Sequence, residues 1–215
     1  MVYPIGKWVV YFIYRPWIKK VRGLDYVPMD IPFIIAANHS SYFDSLLLYC
    51  TIIPKINKKI HALVNRYYWK NFITRLILNW GECIPVFVEQ EKNSKEKNIL
   101  ALERALNYLK KNEPITLFPE GRRSIDGKLR KAYNGVARLA LESKVPVLPI
   151  GIIGADKVIP VGKILPRFTR CKVKIGKLIY FEKYYYKKVK HRQLEEITRS
   201  IMKEIAKLIG QRYKY

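Results

Sequence analysis

Residues 31–50, IPFIIAANHSSYFDSLLLYC, run from an apolar stretch through a polar turn into a second apolar stretch. The first stretch, 33–37, is short and rich in isoleucine and alanine, and it reads as a buried strand. The second follows Ser41, and a serine with a carboxylate three positions later (Asp44) is a helix-start signature. Residues 42–50 therefore read as a helix. The same handover recurs along the chain. KIHALVN (59–65), CIPVFV (83–88), PITLF (114–118), VPVLPIGII (145–153) and KVKIGKLIYF (172–181) read as strands. RYYWKNFITRLILNW (66–80) has helical apolar spacing at Tyr68, Phe72, Leu76 and Trp80. SKEKNILALERALNYLKKN (94–112) reads as a helix capped by Ser94, with Ile99, Leu102, Leu106 and Leu109 on its buried face. NGVARLALES (134–143) and LEEITRSIMKEIAKLI (194–209) read as helices, the latter with Leu194, Ile197, Ile201, Ile205 and Leu208 on one side. VRGLDYVPMD (21–30) reads as a turn-rich approach to the first strand. Strands alternating with helices imply an α/β fold with a largely parallel or mixed sheet flanked by helices, in a single domain.

The turn NHSSYFD (38–44) supports two readings. In one, Asp44 and Ser41 are helix-capping groups and His39 is a loop residue. In the other, the first helical turn carries Asp44 back alongside the imidazole, fixing its tautomer and leaving the second ring nitrogen as a base. In open α/β sheets, ligands sit beyond the carboxyl ends of strands. His39 follows one such end, and FPEGRRS (118–124) follows another. That second turn holds a carboxylate, a glycine, two adjacent guanidiniums and a hydroxyl. Two arginines with exposed backbone N–H groups suit a phosphate, and Glu120 is placed to hold an arginine by ion pairing.

With 215 residues, 49% hydrophobic and 13% aromatic, the chain can bury one sizeable core. Lys and Arg number 41 against 17 Asp and Glu, a formal net charge of +24. This excess calls for a polyanionic partner such as nucleic acid, an anionic membrane surface or an acidic cofactor or carrier. Three cysteines, widely spaced and without a CxxC pair, suggest neither a disulfide framework nor a zinc site and point to a reducing, cytoplasmic setting. No stretch reaches the roughly 18 apolar residues of a spanning helix. Residues 1–20 read instead as a helical segment lying in a membrane interface, with Trp8, Tyr11, Phe12, Tyr14 and Trp17 at headgroup depth and Lys19, Lys20 and Arg22 on phosphates, the alternative being an ordinary core-packing helix with those aromatics buried.

NHSSYFD and FPEGRRS, in that order and spacing, resemble motifs I and III of the glycerolipid acyltransferase family, the bacterial-type 1-acyl-sn-glycerol-3-phosphate acyltransferases. VRGLDYVP resembles the lead-in to the first motif, and VPVLPIGIIG the apolar motif IV, so the resemblance spans residues 20 to 155. It implies an acyltransferase domain over 21–215 and transfer of a fatty acyl group from acyl-CoA or acyl carrier protein to the hydroxyl of a lysophospholipid. The acceptor it implies is 1-acyl-glycerol-3-phosphate, giving phosphatidate. His39 would be the general base, a role imidazole suits near neutral pH, and Asp44 its orienting partner. Glu120, Gly121, Arg122, Arg123 and Ser124 match the acceptor-phosphate motif. The resemblance calls for no metal and no cofactor beyond the acyl donor, and it implies peripheral or monotopic attachment to the cytoplasmic face of the cell membrane.

Three positions depart from the family pattern. Arg122 stands where a small hydroxyl residue is usual, and GECIPVFVEQ lacks the motif II arginine, with Val88 near its place. Asn65, followed by Arg66, stands where the preceding strand often has lysine. These departures fall on the acceptor side, leaving glycerol-3-phosphate or another lysolipid as alternative acceptors. A nucleic-acid binder is the alternative of a different class: KYYYKKVKHR (183–192) interleaves aromatics and cations. No RNP, KH or helix-turn-helix signature accompanies it, so no nucleic-acid partner is expected.

Overall fold

The computed structural model describes residues 6–87, 93–160, 162–163 and 165–215, without the side chains of residues 6, 7 and 95. In chain order the helices are α1 (Gly6–Tyr14), α2 (Phe43–Ile56), α3 (Phe72–Trp80), α4 (Ser94–Lys110), α5 (Gly135–Ser143), α6 (Ala155–Val158) and α7 (His191–Ile209). The strands are β1 (Ile18–Arg22), β2 (Ile34–Ala37), β3 (His61–Asn65), β4 (Ile84–Val86), β5 (Ile115–Leu117), β6 (Val147–Ile153) and β7 (Cys171–Ile175). They form one seven-stranded sheet in the order β1-β7-β6-β2-β5-β3-β4. The strands β2 to β6 run parallel, so their carboxyl ends share one edge. β7 runs antiparallel to β6, and β1 pairs parallel with β7, which puts the start of β1 at that same edge.

Side chains alternate across β2. Ile35 and Ala37 enter a core with Phe43, Leu47 and Ile52 of α2. Ile34 and Ala36 enter the opposite core with Ala105 of α4, Leu139 of α5 and Ile201 and Ile205 of α7. All four β2 residues are buried, as expected of a central strand covered on both faces. The sheet is mixed and helix-flanked, in agreement with the α/β expectation.

Several boundaries differ from the sequence reading. Residues 18–20, grouped with the N-terminal helical segment on sequence grounds, begin edge strand β1; the helix itself ends at Tyr14, before Pro16. The strand expected over 172–181 stops at Ile175. There Gly176 lies against Pro149, where an added Cβ would come within 2.9 Å of its ring, and only Ile179 pairs again, with Val147. The helix expected over 66–80 divides into a 3-10 turn (Arg66–Lys70) and α3, because the Asn71 side chain accepts from the Thr74 N–H and restarts the helix. On α4 the buried positions are Ser94, Ala101, Ala105 and Leu109, while Ile99 is exposed, and the N-cap is Asn93 rather than Ser94. Ala101 and Ala105, more than the half-buried Leu102 and Leu106, join Leu109 on the face that meets the core. Val88, near the expected motif II position, lies outside the described residues, as do residues 1–5 of the N-terminal segment.

Candidate active site

β2 ends at Ala37, and the next residue clamps the turn. The buried Asn38 amide acts as a substitute peptide group: Nδ2 donates to the Ile152 carbonyl (2.9 Å), and Oδ1 accepts the Ile152 N–H (2.7 Å). The backbone is thereby tied to β6, one residue before His39. The imidazole then stacks on Phe118 of the neighbouring turn, with ring centroids 3.9 Å apart and planes 12° apart.

His39 Nδ1 lies 2.8 Å from Asp44 Oδ2. The same oxygen accepts the Ser40 N–H (2.7 Å) and the Ser41 N–H (2.8 Å). One carboxylate oxygen thus gathers the imidazole and two amides of the turn that leads into α2, whose N-cap residue, Tyr42, has no side-chain cap bond. The serine half of the capping box differs, since Ser41 Oγ accepts from Phe43 N and donates to the Ile159 carbonyl. Asp44 is fully buried, whereas the His39 side chain keeps 18% of its surface. With Oδ2 a pure acceptor, Nδ1 carries the proton and Nε2 keeps its lone pair. Nε2 has no hydrogen-bond partner among the described residues, so this lone pair is free to take a proton.

The second turn is stitched to the first through Glu120. Its Oε1 accepts the His39 N–H (2.9 Å), and its Oε2 accepts the Arg130 N–H (2.8 Å), while the Ser124 N–H donates to the His39 carbonyl (2.8 Å). The carboxylate holds backbone amides, not an arginine guanidinium, which corrects the ion-pair expectation. Burial pushes its carboxyl up to about 7, against the two N–H bonds that favour the charged form.

The remaining motif residues divide by exposure. Gly121 has φ +67°, and an added Cβ would meet the Tyr133 ring at 2.9 Å. Ser124 is buried, with its hydroxyl committed to Asp126 (2.9 Å). Arg122 is exposed. Arg123 lies over the Tyr42 ring, its Cζ 3.4 Å from the centroid, and Nη2 donates to the Tyr68 hydroxyl (3.0 Å). Its Nη1 is buried and meets no acceptor among the described residues. An unpaired guanidinium N–H on the turn that is bonded to the His39 turn can hold an anion at the same edge of the sheet as a base.

Sequence reasoning passed over Asn38, Tyr42, Phe118 and Tyr68. Three of the four lie inside the quoted motifs. Tyr68 had no local signal, being 55 positions from the arginine it meets. Asn65 turns its side chain to the Tyr67 N–H, and Arg66 lies over Trp69 (5.8 Å). Among the described residues no group of three or more His, Cys, Asp or Glu could hold a metal ion.

Residues 19–153 match the family model described as Acyltransferase. The chloroplastic 1-acyl-sn-glycerol-3-phosphate acyltransferase of Brassica napus is 26% identical over 162 residues, covering 72% of this chain and 43% of the relative. The probable 1-acyl-sn-glycerol-3-phosphate acyltransferase of Mycoplasma genitalium is 25% identical over 144 residues, covering 67% and 52%. The chain thus spans about half, or less, of the length of these relatives. The crystal structure of the 1-acyl-sn-glycerophosphate acyltransferase from Thermotoga maritima superposes with a TM-score of 0.68 at 22% identity, over 97% of this chain and 81% of that one, a likeness of fold.

Proposed function

We propose, from the premise that the chain belongs to the acyltransferase family, that it transfers a fatty acyl group from a thioester to the free hydroxyl of 1-acyl-glycerol-3-phosphate. His39 Nε2 takes the hydroxyl proton as the oxygen attacks the thioester carbonyl. The tetrahedral intermediate then collapses, the C–S bond breaks, and the imidazolium returns its proton to the departing thiolate. The products are phosphatidate and a free thiol. Asp44 faces the imidazolium while it lasts and is worth most then, because its charge acts where charge develops. Arg123, with exposed Arg122 beside it, receives the acceptor phosphate. Gly121 lets the turn come close, and Glu120 and Ser124 hold that turn in register with His39. Coenzyme A or acyl carrier protein serves as donor; both are acidic and suit a chain of net charge +24.

The observation that carries this reading is the His39–Asp44 pair at 2.8 Å, at the same sheet edge as the unpaired Nη1 of Arg123. A lipid acceptor and exposed Trp8 and Phe12 on α1 support work at an anionic membrane, as a peripheral or monotopic protein on its cytoplasmic face. Among the described residues no helix is long and apolar enough to cross a membrane.

The test is an assay of purified protein with acyl-CoA and acyl carrier protein donors against a panel of lyso-acceptors and glycerol-3-phosphate, with products identified by mass spectrometry. Phosphatidate formation that disappears in His39→Ala is the expected result. Turnover in His39→Ala equal to the parent, or acylation confined to acceptors without phosphate, overturns the assignment.

A further inference from the structure

An amphipathic helix on the surface of a globular protein turns its apolar stripe inward. Helix α3 does the reverse. Its apolar residues Phe72, Ile73, Leu76, Ile77 and Trp80 follow the i, i+1, i+4, i+5, i+8 spacing of one stripe, and each is more than half exposed. No residue of α3 is buried; Thr74 and Leu78 alone are partly covered. Isolated surface leucines need no explanation, but five large apolar side chains in one stripe mark a surface that something covers.

The charge around the stripe identifies the cover. Between residues 66 and 81 there is no carboxylate, while Arg66, Lys70 and Arg75 flank the apolar residues. The cations lie over aromatic rings of the same segment: Arg75 over Phe72 (5.5 Å), Lys70 over Tyr67 (5.2 Å) and Arg66 over Trp69 (5.8 Å). Aromatics sharing a depth with cations above an apolar stripe match the acyl–headgroup boundary of a bilayer. A second copy docking stripe to stripe would set these uncompensated cations against their own equivalents, in a chain already at +24. The stripe is also joined to the site. The 3-10 turn before α3 carries Tyr68, whose hydroxyl accepts from Arg123 at 3.0 Å.

We propose that α3 is a membrane-docking helix that seats its Phe72–Trp80 stripe in the interface of an anionic bilayer, one turn from the arginine that receives the acceptor phosphate. It is a second docking element, distinct from the N-terminal segment, and it brings Arg123, through Tyr68, toward headgroup level. The inference takes its purpose from the lipid-acceptor reading, yet vesicle binding is measured without turnover, so failure of either shows separately.

The experiment compares the full chain with Leu76→Glu/Ile77→Glu by co-sedimentation with vesicles of phosphatidylcholine and phosphatidylglycerol. Losing two inserted aliphatic side chains should raise the lipid concentration for half-binding about tenfold or more. The melting temperature should not move, since both residues are outside the core. Turnover of short-chain, water-soluble acceptor and donor should also hold, while turnover of vesicle-borne acceptor falls. As a measurement without a disruptive change, brominated lipid should quench the parent more than Trp80→Phe. A rise below about threefold in the double variant, equal quenching of parent and Trp80→Phe, or a parent dimer that the double variant dissolves would overturn the proposal.

Discussion

Replacing Asp44 by Asn keeps the size and shape of the side chain and removes one charge, and the site decides how the amide must sit. Oδ2 accepts three N–H groups, from His39, Ser40 and Ser41, while Oδ1 is buried without a partner. An amide nitrogen at the Oδ2 position would face two backbone donors, so the amide oxygen takes that position and the nitrogen fills the empty side. The His39 tautomer is therefore preserved, and what is lost is attraction between carboxylate and imidazolium. Two unit charges about 4 Å apart at an effective dielectric of about 20 interact by about 4 kcal/mol. Since a factor of ten in rate is about 1.36 kcal/mol, the ceiling is roughly 10³-fold. We expect kcat to fall about 10²- to 10³-fold with KM nearly unchanged, measured as thiol release under saturating donor. The new amide nitrogen, buried without an acceptor, should also cost about 1–3 kcal/mol of stability in urea unfolding. Turnover within about threefold of the parent, with only the stability loss, would refute the catalytic part of the argument and leave Asp44 as a group that holds the 38–42 turn.

Glu120 sets a pH dependence of folding. Its carboxyl is raised to about 7 by burial, against an ordinary value of about 4.3, so the folded chain holds a proton that the unfolded chain has released. This contribution is full below about pH 4 and is lost as pH rises to about 7; urea unfolding should show that decline, and Glu120→Gln should flatten it. Arg123→Ala removes the unpaired Nη1 and should raise KM for a phosphate-bearing acceptor about 10- to 150-fold, the equivalent of one charge-assisted bond, with kcat little changed. Arg122→Thr, which restores the usual family residue, should raise KM in the same direction if Arg122 replaces the absent motif II cation; an unchanged KM removes it from the acceptor site. Asn38→Ala leaves the Ile152 N–H and carbonyl unpaired, about 1–3 kcal/mol each, and should lower the melting temperature by several degrees and slow turnover through a loosened His39 turn.

Local spacing was sufficient to bring His39 and Asp44 together, the pair proposed here as base and orienting carboxylate. A carboxylate five positions after His39, on the first turn of a helix that follows a strand, comes back to the imidazole whatever the rest of the chain does. The alternation of short apolar runs with helical periods likewise determined an α/β sheet covered on both faces. What periodicity could not convey is which side of a helix meets a neighbour. The same pattern that buries Ile201 and Ile205 on α7 leaves Leu76 and Trp80 of α3 exposed, because α7 packs on β6 while no residue of α3 reaches the core. Nor does spacing name partners far apart in sequence: Glu120 reaches the His39 N–H across 81 positions and Asn38 reaches Ile152 across 114. Only the strand order β6-β2-β5 brings those turns together, and strand order is settled by packing and chain crossover. The sequence by itself placed an imidazole and a carboxylate on one strand-to-helix turn. The tertiary structure decided that Glu120 serves the backbone, that Arg123 keeps an unpaired N–H, and that α3 faces outward, since each depends on what the folded chain places nearby.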